Sequence, residues 1–452
     1  MSAALPDGNA SEPQDGRSSF PAGFTWGAAT SAYQVEGAVD VDGRGESIWD
    51  RFCAQPGVIA DGSSGAVACD HYHWFPADVA LMKELGLGAY RFSIAWPRIL
   101  PDGTGPVQTA GLDHYDRLVD ALLEAGIAPY PTLYHWDLPQ ALEDRGGWVS
   151  RATVDAFVSY ADVVTARLGD RVPAWMTLNE PFVSWNHGYL TGEHAPGRHS
   201  YDEGLAAAHH LLLAHGRAVS VIRANAPQAR VGIVLNFTPV FPLTDSAEDR
   251  AEADLVDGIE NRWCVEPIAG LGYPAATAAS VGWKATEVHD GDLDEISVPI
   301  DLLGVNYYTR QIVAADHDAV PKPSPATDMG WEIYPEGIGA LLRRLHDRHA
   351  FPAYFVAENG AAMADQPDEH GFVQDDDRID YLRSHLRAVH GAIASGVPVQ
   401  GYFAWSLLDN FEWAHGYAKR FGIVRVDLDT LVRTPKASAH WYSEVVRTGV
   451  VG

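Results

Sequence analysis

Eight short apolar and aromatic runs recur along the chain, separated by stretches too long for hairpins and filled with helical patterns. This alternation limits the fold more than any other feature. The runs are FTWGAAT (24–30), AYRFSIAW (89–96), APYPTLYHW (128–136), AWMTLNE (174–180), RVGIVLNF (230–237), LLGVNYYT (302–309), AYFVAEN (353–359) and VQGYFAWSLLD (399–409). Most are near-continuous in hydrophobicity rather than alternating, as suits strands covered on both faces. Between them, Leu112, Tyr115, Leu118, Val119, Leu122 and Leu123 form one apolar stripe that Gly126 closes, and Ile379, Leu382, Leu386, Val389 and Ile393 form another before Gly396. Eight strands alternating with helices predict an α/β fold, a single-domain (β/α)8 TIM barrel. A doubly wound open sheet shares the alternation, but its nucleotide-binding form wants a Gly-rich phosphate loop after the first strand, and none is there.

Long segments follow strands one (31–88), four (181–229), five (238–301) and six (310–352), and they are rich in Gly, Pro, Trp and His. Insertions after strands fall at the C-terminal face, where barrel active sites are built. No Pro/Ser-rich linker divides the chain, so residues 19–452 read as one domain. Residues 1–18, polar and small, read as a disordered tail without the basic and apolar regions of a secretory signal. No run of about 18 apolar residues is evident in the sequence, so no spanning helix is expected. The net charge of −28 disfavours nucleic acid and anionic membrane surfaces as partners. Three scattered cysteines, Cys53, Cys69 and Cys264, fit neither a disulfide framework nor a zinc site, and they point to a reducing, cytoplasmic location.

Polar residues collect where the apolar runs end. Strand three finishes in His135-Trp136, strand four in Asn179-Glu180-Pro181 and strand six in Asn306-Tyr307-Tyr308. Strand seven carries Glu358-Asn359-Gly360, strand eight carries Trp405 followed by Glu412 and Trp413, and strand one runs on to Gln34 and Glu36. On a barrel these ends converge on one pocket. A single glutamate at a strand end is ordinarily a satisfied rim residue. Glu180 and Glu358 stand three strands apart and face each other among Trp, Tyr, Asn and Gln, which suits glycoside hydrolysis: aromatic faces stack on sugar C–H surfaces, and amides and carboxylates bind hydroxyls. His71, His73, His209 and His210 read as structural, with no metal-ligand pattern around them.

With these segments, and with GESIWDRF, YPTLYHWDLPQAL, GWEIYPEG, WSLLDNFEWAHGY and RTPKASAHWY, the chain resembles the β-glucosidases of glycoside hydrolase family 1 from about residue 18 to 447. The resemblance implies that Glu180 is the acid/base and Glu358 the nucleophile of a retaining mechanism, which needs carboxyl groups about 5–5.5 Å apart. It implies that Gln34, His135, Asn179, Glu412 and Trp413 hold the glycone hydroxyls, Asn179 serving the 2-hydroxyl. Trp405 would floor the sugar, and Trp331 would line the leaving-group side. Tyr308, Arg91 and Asn306 would support the nucleophile, Tyr308 also touching substrate. Pro181 biases Glu180 away from helical backbone, which would hold it at the strand end. No metal or other cofactor is implied.

Four positions depart from the family pattern: Ala357 for a Thr or Ser before the nucleophile, Phe182 for a Trp after Asn-Glu-Pro, Trp74 for an Arg, and Cys264 for a Phe. None removes a chemical role. Glu412 would repel the 6-phosphate of a phospho-glycosidase substrate, and Glu180 is the acid that myrosinase-type thioglucosidases lack. The expected substrates are small β-glucosides such as cellobiose and other oligosaccharides, as in cellulose degradation, with galactosides and fucosides as side substrates. The sequence leaves a homo-oligomer open. A sugar-binding barrel without catalysis would want one carboxylate missing, and an acyl-transferring hydrolase would want a Gly-x-Ser-x-Gly elbow; neither condition is met.

Overall fold

The computed structural model of the chain describes residues 17–452. The eight runs form β1 (Thr25–Ala29), β2 (Ala89–Ser93), β3 (Ala128–Tyr134), β4 (Ala174–Asn179), β5 (Arg230–Asn236), β6 (Leu302–Asn306), β7 (Tyr354–Asn359) and β8 (Val399–Trp405). All pair in parallel with their neighbours in chain order, and β8 closes on β1. The fold is therefore the closed (β/α)8 barrel that the alternation predicts.

Each strand is buried on both faces, and the two faces feed different cores. Inside the barrel, Tyr130, Met176, Val234, Leu302, Phe355 and Phe403 form a plug below the strand ends. Glycines make room for its rings, since a Cβ on Gly27 or Gly401 would come within 2.6 Å of Phe403 or Phe355 respectively. Outside, a larger apolar layer packs the strands against helices that include α1 (Thr109–Glu124), α2 (Ala152–Leu168), α3 (Tyr201–Asn225) and α4 (Asp376–Ala394). The stripe expected on α1 is buried at Leu112, Tyr115, Leu118, Val119 and Leu122, but Leu123 is exposed, being one residue past the buried face. Gly126 and Gly396 take φ values of 80° and 98° just past the ends of α1 and α4, where a left-handed residue closes the helix.

Two expectations need amendment. Helix α3 contains an 18-residue window that is long and apolar enough to cross a membrane by length and composition. That window is 83% buried in the barrel's outer layer, so α3 is a core helix whose apolarity follows from being covered on nearly every side. Of the tail expected over 1–18, residues 1–16 lie outside the described residues. Ser18 belongs to a two-residue strand, Ser18–Ser19, paired antiparallel with Val450–Val451.

Candidate active site

Alternation places Phe355 and Ala357 of β7, like Ala353 just before it, inside the barrel, so strict alternation would turn Glu358 outward. It does not, because β7 is bulged: Val356 pairs with Val305, yet Glu358 pairs with the next residue of β6, Asn306. The extra residue re-aims the carboxylate into the barrel mouth. Asn359 then faces the outer layer, donating to the Tyr307 carbonyl (2.7 Å) and accepting from the Tyr402 hydroxyl (2.7 Å), so it binds β7 to both neighbours. Gly360 is required by close approach, since a Cβ there would lie 1.7 Å from the Trp405 carbonyl oxygen.

Strand β4 uses the same device. Met176 pairs with Gly232 and Asn179 with Val234, three steps against two, which turns Asn179 inward. Glu180 follows at φ 45° and ψ 65°. Pro181 does keep it out of the right-handed helical region, but the backbone adopts the left-handed region rather than the extended one. Trp136 and Trp413, with φ of 74° and 48°, line the same cavity as Glu180. Non-glycine residues in this region are held there by their surroundings, and such positions cluster at functional sites.

One hydrogen-bonded chain joins the two carboxyl groups. Arg91 Nη1 donates to Glu358 Oε1 (2.6 Å), and Tyr308 donates its hydroxyl to Glu358 Oε2 (2.7 Å). Arg91 Nη2 donates to Asn179 Oδ1 (2.6 Å). Asn306 Nδ2 donates to the same oxygen (3.2 Å) and to Glu180 Oε1 (2.6 Å). Asn306 therefore supports Glu180 directly, and it meets Glu358 only as its strand-pairing neighbour. Both oxygens of Glu358 are satisfied as a carboxylate's should be, by donors alone.

Opposite this chain lies an aromatic and polar wall. The His135 ring stacks between Trp405 and Trp413, with centroids 6.0 and 5.9 Å away, and its Nε2 meets Asn179 Nδ2 at 3.1 Å. The Gln34 amide nitrogen donates to the Phe411 carbonyl (3.0 Å) and Asn410 Oδ1 (3.1 Å), and it reaches Glu412 Oε2 at 3.5 Å. Glu180, Glu358, His135, Asn306, Tyr308, Trp331, Trp405, Glu412 and Trp413 all line one cavity of about 510 Å³. Gln34, Asn179 and Arg91 sit one layer behind its surface, fully buried. The structure thus gathers the residues given a role by the resemblance. Of the other strand-end residues, Glu36 is bound to Arg98 (3.1 Å) and Tyr115 (2.5 Å) away from the cavity, and Tyr307, like Asn359, turns to the outer layer. The structure adds Asn236, Phe237, Thr238, Glu260, Gln311 and Met329, which line the cavity and carry no motif that the sequence reading could use.

Burial sets the electrostatics. Desolvation first, and the negative charge of Glu358 second, push the Glu180 carboxyl up to about 8. Desolvation, then Glu358 and Glu180, push Glu412 to about 8 as well. Desolvation and then Arg91 hold His135 well below the usual imidazole range, so it is neutral. In each raised carboxyl the folded chain keeps a proton that the unfolded chain releases near the ordinary value of 4.5. Their contribution to stability is accordingly complete below pH 4.5 and is lost as pH rises through about 8. Glu412→Gln keeps the shape without the ionisation. We expect it to melt above the wild type at pH 9, by about 1 °C for each kcal/mol relieved in a chain of this length, with the gap closing toward pH 5. Thermal unfolding across that range checks this, and a gap that stays constant with pH would contradict it.

Away from the cavity, His71 pairs with Asp78 (2.7 Å), His73 with Asp70 (2.6 Å), His209 with Asp292 (2.9 Å), and His210 with the Trp148 carbonyl (2.9 Å). None of the four lines the site. Among the described residues no group of three or more His, Cys, Asp or Glu is placed to hold a metal ion. Ala357 is buried in the inner plug. Phe182 lines the cavity and packs edge-on against Trp185 at 5.2 Å. Cys264 is a buried free thiol, and Trp74 is exposed beneath the Arg433 guanidinium, 4.7 Å from its centroid.

Comparison with known proteins agrees with this geometry. The sequence profile of glycosyl hydrolase family 1 matches residues 16–450. β-Glucosidase A of Acetivibrio thermocellus is 47% identical over 439 residues, covering 95% of this chain and 98% of that one. A bifunctional β-D-glucosidase/β-D-fucosidase of Bifidobacterium breve is 43% identical, covering 94% and 98%. Among solved structures, the β-glucosidase of Thermotoga maritima in complex with glucoimidazole superimposes with a TM-score of 0.93 at 46% identity, covering 95% of this chain and 99% of that one.

Proposed function

The chain belongs to glycosyl hydrolase family 1, and on that premise we propose that it is a retaining exo-β-glycosidase, a β-glucosidase that removes terminal non-reducing β-D-glucosyl residues. One observation carries the reading: a carboxylate satisfied by Arg91 and Tyr308 and a carboxyl held protonated by burial share one sugar-sized cavity. Glu358 attacks the anomeric carbon while Glu180 gives its proton to the departing oxygen, and a glycosyl ester forms. Esterification removes the Glu358 charge, which is one cause of the raised Glu180 pKa, so that pKa falls and Glu180, its proton given to the leaving group, stays ionised as the general base that the second step needs. Glu180 then takes a proton from water, which displaces the ester and returns the sugar with its original configuration.

His135, Glu412 and Trp413 bind the glycone over Trp405, with Gln34 and Asn179 reaching it from behind. The substrates we infer are aryl and alkyl glucosides, cellobiose and other small oligosaccharides, with β-fucosides and β-galactosides as side substrates. The Bifidobacterium relative, named for both glucosidase and fucosidase action, supports the breadth. On cellobiose the enzyme would finish cellulose degradation, and its three free cysteines suit a cytoplasmic setting. Proton NMR of the first-formed sugar from an aryl β-D-glucoside tests the mechanism. β-Glucose before mutarotation is expected, and α-glucose would replace the double displacement with an inverting reaction.

A further inference from the structure

A leaving group protonated by Glu180 departs on the side of Glu180, which follows β4 and is bound to Asn306 at the end of β6. Strand β5 lies between them, and its exit residues Asn236, Phe237 and Thr238 line the cavity. The glycone wall, built from the ends of β1, β3 and β8, lies across the mouth. Beside the β5 exit stands Glu260, on a π-helical turn at Gly258–Arg262. Asn261 fixes that turn, accepting from the Thr238 N–H (2.9 Å) and donating to the Thr238 carbonyl (2.8 Å). Gln311 is fixed to the same segment, its N–H donating to the Pro239 carbonyl at 2.9 Å. With its amide nitrogen turned to the carboxylate, Gln311 lies 3.0 Å from both oxygens of Glu260.

No cation closes this pair. Arg262 is engaged by Asp257 and Asp254, Arg310 is engaged by Glu332, and no ion pair to Glu260 occurs among the described residues. A carboxylate has about four acceptor sites, and one amide leaves most of them facing the cavity. Burial and Asp257 push the Glu260 carboxyl up to about 7, and a donating Gln311 works against that rise. Phe182, Phe237 and Trp331 line the same side, giving an apolar wall beside a polar edge.

We propose that Glu260, held by Gln311, is a specificity-determining residue that accepts hydrogen bonds from the hydroxyls of a sugar leaving group, so that the site favours glycosyl-sugar over glycosyl-aryl substrates. The ring-lined wall takes the C–H face of that second sugar, and Glu260 takes its edge. A flat aryl group uses the wall alone and leaves Glu260 unmet. An anionic leaving group is repelled.

This inference rests on the proposed function, and its test separates the two. The readout is the ratio of kcat/KM on cellobiose to kcat/KM on 4-nitrophenyl β-D-glucoside. Glu260→Ala is expected to lower that ratio about tenfold, the scale for losing hydrogen bonds to a charged group. Glu260→Gln, which keeps one acceptor oxygen, should lower it less, and Gln311→Leu should move it in the same direction as Glu260→Ala. Should the alanine variant fail to fold, the other two decide. Ratios within twofold of the wild type in the folded variants would overturn the inference. So would a wild type that cleaves the aryl glucoside and leaves cellobiose intact. A wild type inert on both would overturn the proposed function as well.

Discussion

Glu358→Gly is expected to lose roughly 10⁶-fold in kcat, about 8 kcal/mol of barrier, because no group remains to form the ester. What it leaves behind makes the prediction specific. Arg91 Nη1 and the Tyr308 hydroxyl, 2.6 and 2.7 Å from the two lost oxygens, become donors around an empty, buried, positively charged space. Stranding a buried charge costs about 3–5 kcal/mol, so the variant should also melt early. Azide or formate fits between the two donors and should raise the melting temperature of the variant alone. Azide there approaches the anomeric carbon from the side that Glu358 used, and a single displacement gives the inverted α-glucosyl azide. Product isolation after azide addition checks this. A variant that keeps its activity would remove Glu358 from the reaction, and a β-azide would put the attack on the wrong face.

The places where sequence reading succeeded and failed divide along physical lines. All eight strands were legible because burial on both faces demands a continuous apolar run, and a run of that kind survives any local irregularity. The same continuity hides the bulges in β4 and β7. With apolar residues on both faces, nothing in AWMTLNE or AYFVAEN marks the position where one extra residue reverses the side on which Glu180 or Glu358 emerges. Strand-end position still located both glutamates, because polar residues at the mouth of an apolar barrel stand out whichever way they point. Residues that reach the site through loop packing were not legible. Glu260 and Gln311 lie 51 positions apart in sequence. They meet because Asn261 and a backbone pairing bind both to the segment after β5. Leu123 failed for a smaller reason: an apolar side chain on a surface helix is not obliged to be buried. The terminal strand Ser18–Ser19 is too short to carry a period.

Glu180→Gln separates the two chemical steps by leaving group. It preserves the acceptor for Asn306, so the hydrogen-bonded chain to Arg91 stays connected. A 2,4-dinitrophenyl glucoside needs no proton to depart, and its first step should survive. Cellobiose needs one, and its kcat/KM is expected to fall by about 10²–10⁴, the usual worth of a positioned general acid. The second step loses its base in either case. On the activated substrate the ester should therefore accumulate, lowering kcat and KM together. Azide now meets an ester already formed and displaces it from the opposite face, so its product is the β-glucosyl azide, the reverse of the outcome at Glu358. The pH profile supplies an independent check. In the wild type Glu180 must hold its proton for the first step, so kcat/KM should fall as pH rises through about 8. In Glu180→Gln that alkaline limb should vanish for the dinitrophenyl substrate. An unchanged limb would move the acid role to another group, and Glu412, also raised to about 8 and lining the same cavity, would be the first to substitute.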